Sequence, residues 1–366
     1  MKKLTIFIIV AVLLTGVCLA YELNEVSKMS VTDIQNLLGG KYVSAATFKV
    51  SRTNGNIFIL ARDPKTRNLE WYLINPFAKK VLKHGNCPFK GFNNAVLSPD
   101  CTNAIVDSRY PGGIWHLTIG TAQWDCVYTN PAEGLAFSSL SPLTYINNSW
   151  VMSVVDDRDK DKVVKDSFIV SFTPSPFTML KVASLNKLKQ SSAEKFVSGK
   201  LPKDRIFIID EVRYGSNNTF VYVIKSNIEP ESSKHVDFLA FYSNTADIKL
   251  LDKQEGEFYP LDFQPEPFKV LYRSFTKGKS QVMLYSEDKK IPLMEAKATV
   301  GKIMKGNVIG IAAVKGSTFT VYIGGINQKF TPVLSLPVAY AAGFTDDGEK
   351  LILINDKEVR CFKIVK

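Results

Sequence analysis

Residues 94–129 read NAVLSPDCTNAIVDSRYPGGIWHLTIGTAQWDCVYT. Four short runs stand out: Asn94–Ser98, Ala104–Ser108, Ile114–Ile119 and Trp124–Thr129. They are separated by Pro99-Asp100, Pro111-Gly112-Gly113 and Gly120-Thr121, which supply turns. Branched and aromatic runs of this length, cut by turn formers, predict four strands joined as a meander.

The same quartet is found on either side. Upstream, Ala45–Ser51, Ile57–Arg62, Leu69–Asn75 and Lys80–His84 form a first set, with a turn at Asn54-Gly55. Downstream, third strands are predicted at Phe168–Phe172, Phe238–Tyr242, Val282–Tyr285, Phe319–Ile323 and Val359–Ile364, making seven in all. Turns between first and second strands lie 45 residues apart from Gly55 to Asp100, 40 from Glu266 to Gly306 and 41 from Gly306 to Asp347. The interval from Leu143 to Gly215 is longer, at 72. A four-strand unit recurring every ~40 residues predicts an all-β fold, a single β-propeller of seven four-stranded blades. One such sheet cannot bury both faces alone, whereas a ring of them can.

Two stretches carry a family resemblance. Leu97-Ser98-Pro99-Asp100-Cys101 and Phe344-Thr345-Asp346-Asp347-Gly348 are similar to the F-S-P-D-G turn of the TolB-type propeller repeat, a relative of the WD-repeat propellers. Phe263-Gln264-Pro265-Glu266 is a weaker copy, and Cys101 stands where glycine is expected. Aspartate bonding to nearby backbone and glycine at positive φ explain the residue types without a ligand. The resemblance implies a fold and no function. TolB carries an additional N-terminal α/β domain for which this chain has no room, so its partners are not carried over.

The amino terminus is different. Lys2 and Lys3 precede an apolar run from Leu4 to Val17, and Cys18-Leu19-Ala20 supplies small residues for cleavage, so residues 1–20 read as a secretory signal. Val17 and Thr15 stand where lipidation of Cys18 would want a small residue and a leucine, which argues against a lipoprotein. Residues 21–40 should hold a strand near Glu22–Met29 and a short helix over Val31–Leu38. Ser30-Val31-Thr32-Asp33 resembles a capping box, and Gly39-Gly40 would end the helix. The propeller proper would occupy residues 41–366. The chain ends just after a third strand, so the N-terminal strand is expected to complete the last blade and close the ring.

The composition is that of a globular protein, with 45% hydrophobic and 22% charged residues. The net charge of +11 falls to +9 once Lys2 and Lys3 leave with the leader. Export turns such a basic surface towards a protein or an anionic envelope component and away from nucleic acid. No later segment is long and apolar enough to span a bilayer. Cys87, Cys101, Cys126 and Cys361 allow three disulfide pairings, and spacing does not choose among them.

Candidate sites follow from loops. The long connections Asp157–Asp166, Leu185–Asp204 and Asn227–His235 all fall on the face reached by turns after second and fourth strands, and such loops carry function. Lys187, Lys189, Lys195, Lys200 and Lys203, in a stretch with Lys181, Arg205, Glu194 and Asp204, are candidate binding-face residues for an acidic partner. Lys79, Lys80, Lys83 and Lys90 form a second basic stretch. Asp157, Asp159 and Asp161 alternate as in a calcium loop, yet Lys162 and Phe168 occupy its glycine and glutamate positions. No metal and no cofactor are therefore expected.

Nucleophile-elbow, zinc-protease and phosphate-loop motifs are missing, and the histidines His84, His116 and His235 are scattered. Trp71 and Trp115 sit in third strands, where packing between blades is their expected work. The function expected is that of an exported, periplasmic or extracellular binding or assembly module for an envelope partner. The alternative is a propeller enzyme, a hydrolase or lyase, acting on an envelope polysaccharide or small metabolite at the central channel. That alternative requires carboxylates or a partnered histidine converging at the channel mouth.

Overall fold

The computed structural model describes residues 21–44, 47–128, 135–137, 144–146, 149–156, 166–174, 177–184, 206–214, 220–227, 236–243, 246–264, 266–326 and 329–365. Two elements open it: β1 (Glu22–Ser30) and α1 (Val31–Leu37). Ser30 caps the helix, its Oγ accepting from Asp33 N at 3.0 Å while Asp33 Oδ2 accepts from Ser30 N at 2.8 Å. At the other end Gly39 and Gly40 both take positive φ. Their amides reach Asn36 O and Gln35 O, which stops the helix as a Schellman motif. Ile34 and Leu38 are buried, with Val31 and Leu37 packed beside them, so the helix covers the outside of a core.

The rest is strand. The first antiparallel sheet runs β2 (Phe48–Val50), β3 (Ile57–Arg62), β4 (Leu69–Asn75) and β5 (Lys80–Asn86). The second runs β6 (Phe92–Leu97), β7 (Asn103–Arg109), β8 (Gly112–Thr118) and β9 (Gln123–Tyr128). The third contains β10 (Leu135–Phe137), β11 (Thr144–Ile146), β12 (Ser149–Asp156), β13 (Asp166–Pro174) and β14 (Phe177–Ser184). The fourth is β15 (Ile206–Tyr214), β16 (Phe220–Asn227), β17 (Val236–Ser243) and β18 (Ala246–Glu255).

The fifth is β19 (Glu257–Gln264), β20 (Lys269–Thr276), β21 (Lys279–Ser286) and β22 (Lys289–Glu295). The sixth is β23 (Lys297–Met304), β24 (Val308–Lys315), β25 (Thr318–Gly325) and β26 (Thr331–Leu336). Last come β27 (Ala341–Phe344), β28 (Lys350–Ile354) and β29 (Glu358–Val365), with β1 adding to β29 as the fourth strand.

Three details differ from the sequence reading. The first strand of the first set ends at Val50, because Ser51 N pairs with Asn56 O and Gly55 N with Ser51 O, closing the turn early. The third strand of the last set runs Glu358–Val365, one residue beyond Val359–Ile364 at each end. The third sheet is not a plain quartet: β10 and β11 both pair with β12, at successive positions along it.

Burial explains why the runs are apolar on both sides. In β3, Ile57, Ile59 and Ala61 pack with Ile352, Ile354, Val359 and Cys361 of the last sheet. The alternate residues Phe58 and Leu60 pack with Ala95, Ala104, Val106 and Leu117 of the second. A strand buried on both faces loses the polar alternation of a surface strand. Trp71 is fully buried, stacks on Phe58 at 6.2 Å and belongs to the core between the first and second sheets. Glycine permits the closest approaches: a Cβ on Gly310 would stand 2.8 Å from the Phe344 ring, and one on Gly301 2.6 Å from Leu271.

The recurring turn works as its residues imply. Asp100 Oδ1 accepts from Ser98 Oγ at 2.7 Å and Thr102 N at 3.0 Å, and Cys101 takes φ 63°. In the last sheet Asp347 accepts from Thr345 Oγ1 and Glu349 N, and Gly348 takes φ 73°. The residue in the glycine position adopts the left-handed conformation whether or not it is glycine.

Candidate functional site

Four first strands, β2, β19, β23 and β27, border a cavity of about 290 Å³. Its walls include Phe48, Val50, Leu261, Val300 and Phe344. Charged groups gather at it from four different sheets. Arg52 lies in the β2–β3 turn, Asp346 in the β27–β28 turn, Asp262 in β19 and Lys302 in β23.

Arg52 Nη2 stands 3.0 Å from Asp346 Oδ1 and 3.5 Å from Asp262 Oδ1. Lys302 Nζ stands 2.7 Å from Asp346 Oδ1 and 3.3 Å from Asp262 Oδ2. Asp262 Oδ2 also accepts from Ile303 N at 2.8 Å. Burial works against the charge on Asp346, but Arg52 and Lys302 outweigh it and hold the carboxyl below its usual value.

A fifth charge stands apart. Lys49, in β2, donates to Asn94 Oδ1 at 3.3 Å, and burial pushes its ammonium below the ordinary lysine value.

Opposite, at the ends of the sheets reached by turns after second and fourth strands, lies a surface of another kind. Tyr42 and Tyr110 are 60% and 70% exposed. Backbone bonds connect them: Tyr42 pairs with Arg62, and Lys90 N donates to Tyr110 O at 2.8 Å. Arg62 bridges the interval, its Nη1 reaching Arg67 O at 2.7 Å and its Nη2 Lys90 O at 3.2 Å. Arg109 lies alongside, bonded through Nε to Asn93 Oδ1. Lys41 Nζ sits 2.6 Å from both Asp63 and Glu70 and compensates those two acids, while Asp107 lies near Arg109.

The lysines Lys187, Lys189, Lys195, Lys200 and Lys203, and the aspartates Asp157, Asp159 and Asp161, lie outside the described residues, as do the connections that carry them. Lys79, Lys80, Lys83 and Lys90 are exposed, and Lys83 Nζ donates to Gly120 O at 2.8 Å. His116 is buried in β8 with Nε2 2.9 Å from Asn103 Oδ1, and His84 stacks on Tyr72 in β5. Cys87, Cys101 and Cys361 are thiols, not disulfides. Among the described residues no cluster of three or more metal-ligating side chains occurs, and no helix is long and apolar enough to cross a membrane.

Sequence reasoning missed the charged cavity. The turn aspartate of the sequence pattern is Asp347, which does that work, while Asp346, given no role of its own by the pattern, faces Arg52 and Lys302.

No protein-family model and no curated protein matches the sequence. Solved structures do match it. Acylaminoacyl peptidase of Pyrococcus horikoshii aligns at 9% identity and TM-score 0.55, over 88% of this chain and 54% of the peptidase. The Cps50 (Swd1) β-propeller domain of Myceliophteria thermophila aligns at 6% identity and TM-score 0.53, over 94% of this chain and all of that domain. The RRP9 WD40 repeats align at 11% identity and TM-score 0.50, over 94% and 100%.

The fold is a β-propeller. It is of the WD-repeat-like kind, and the chain spans about half the length of the peptidase it matches. First strands of propeller sheets surround the axis, so the charged cavity is an axial one. The Tyr42–Tyr110 surface lies on the rim at the other end.

Proposed function

We propose that the chain is an exported, seven-bladed propeller with TolB-type repeats, acting as a binding module for a protein or anionic component of the cell envelope. Residues 1–20 would be its leader and residues 41–366 the propeller, with β1 closing the ring against β29. One observation carries the binding role: Tyr42 and Tyr110, both exposed, stand in a hydrogen-bonded frame with Arg62, Lys90 and Arg109 on one rim. Tyrosine and arginine are the residues that anchor protein interfaces, because they join large contact area to polar ends. By chain order the connection bearing Lys187, Lys189, Lys195, Lys200 and Lys203 follows a fourth strand, so in this proposal those lysines would extend the basic surface.

The competing enzyme reading needs a carboxyl able to exchange a proton near neutral pH. Asp346 is held ionised by Arg52 and Lys302, which suits a structural brace.

Co-sedimentation of the purified chain with an envelope fraction tests the proposal. Association should weaken about tenfold in Tyr42→Ala/Tyr110→Ala, as loss of an interface anchor does, and fall further when the five loop lysines become glutamate. Unchanged association in both variants rejects it. Turnover of an envelope polysaccharide that disappears in Asp346→Asn supports the enzyme instead.

A further inference from the structure

We propose that the axial cavity binds a small monocarboxylate with an apolar body, the carboxylate seated on Lys49 Nζ. This site stands on the face opposite the rim surface and does not depend on the partner proposed there.

The charges lead to the anion. Arg52, Lys302, Asp262 and Asp346 compensate one another through contacts of 2.7 to 3.5 Å. Lys49 borders the same cavity, and its Nζ donates to the neutral amide oxygen of Asn94 at 3.3 Å. Among the described residues no carboxylate lies within ion-pair distance of it. A half-buried ammonium facing a neutral amide gains from an incoming anion, since an ion pair adds the attraction of opposite charges that the amide cannot supply. The surplus is a single positive charge, which matches a monoanion rather than a phosphate dianion.

The walls lead to the body. Phe48, Val50, Leu261, Val300 and Phe344 border the cavity. The volume of about 290 Å³ is at the small end of ligand sites, enough for a ring or short chain and not for a polymer. The ion-paired quartet would hold the four first strands in place around the ligand, because each charged group comes from a different sheet.

Isothermal titration with phenylacetate, phenylacetamide and inorganic phosphate tests the assignment. Phenylacetate should bind saturably at one site. The uncharged amide and phosphate should bind at least about tenfold more weakly, the discrimination expected of a charge-assisted bond in a partly buried site. Lys49→Met should weaken phenylacetate about tenfold without lowering Tm, and Lys80→Met, an exposed control, should leave it unchanged. Should Lys49→Met fail to fold, the comparison of acid with amide on the parent chain decides. Equal binding of the amide, tighter binding of phosphate, absence of saturable binding, or full affinity in folded Lys49→Met each overturns the site. Tyr42→Ala/Tyr110→Ala should still bind phenylacetate, so failure of the rim proposal is read separately.

Discussion

Arg360 donates from Nε to Glu25 Oε2 at 2.9 Å, across 335 positions of sequence. The pair clasps β1 to β29, whose register runs from Glu22↔Val365 to Ser30↔Glu358. Ser27 Oγ adds a bond to Pro76 O at 2.7 Å, and Val31 N one to Lys357 O at 2.7 Å. Deleting residues 21–30 removes this ladder and the buried Met29, and should lower Tm by on the order of 10 °C in calorimetry. Glu25→Gln alone should cost about 1 kcal/mol or less, because the pair is partly exposed. Equal effects of the two changes would show that the ladder contributes little.

Gly310 faces the Phe344 ring so closely that Gly310→Ala should destabilise by about 1–3 kcal/mol in urea unfolding, with an unchanged slope. Phe344→Leu in the same chain should recover part of that loss, since the clash is between those two positions.

His116 is buried, and desolvation lowers its pKa from the ordinary 6.5. The unfolded chain therefore takes up the proton first as pH falls, so this histidine costs stability below pH 6.5 and nothing above it. NMR of the His116 imidazole should show it titrating below 6.5, and His116→Gln should flatten the stability slope in that acidic window. Titration of His116 at or above 6.5 would contradict the buried, neutral ring.

Asp346 predicts a second acid effect. Despite the opposing cost of burial, Arg52 and Lys302 keep its folded pKa below 3.8, so its contribution is complete above that value and disappears as pH falls through the folded one. The Tm gap between the parent and Asp346→Asn should be constant near neutrality and close at strongly acidic pH. A gap that persists in acid would mean the loss is one of packing.

Burial pushes the Cys361 thiol up to about 12 and raises Cys87 as well. Neither should react with Ellman's reagent in the native protein at mildly alkaline pH, and both should react on unfolding. Rapid native labelling of Cys361 would show that β29 opens locally.

How much was legible depends on range. The SPDC and TDDG turns, the Ser30 cap and the Gly39-Gly40 stop were readable because each rests on bonds within a few residues. The strand quartets were readable because alternate side chains of runs such as Ile57–Ala61 must be apolar when both faces are covered. The divided first strand of the third sheet was not, since β10 and β11 share β12 by a pairing choice that their short sequences do not encode.

The charged cavity was invisible for the same reason. Arg52 meets Asp262 from 210 positions away and Asp346 from 294. No local pattern marks either partner. The amino-acid order by itself determined the turns, the helix ends and the rhythm of strands, all of which follow from φ preferences and burial period. Only the tertiary arrangement decided which strand ends meet at the axis and which tyrosines share a rim, because those neighbours are chosen by how whole sheets pack against one another.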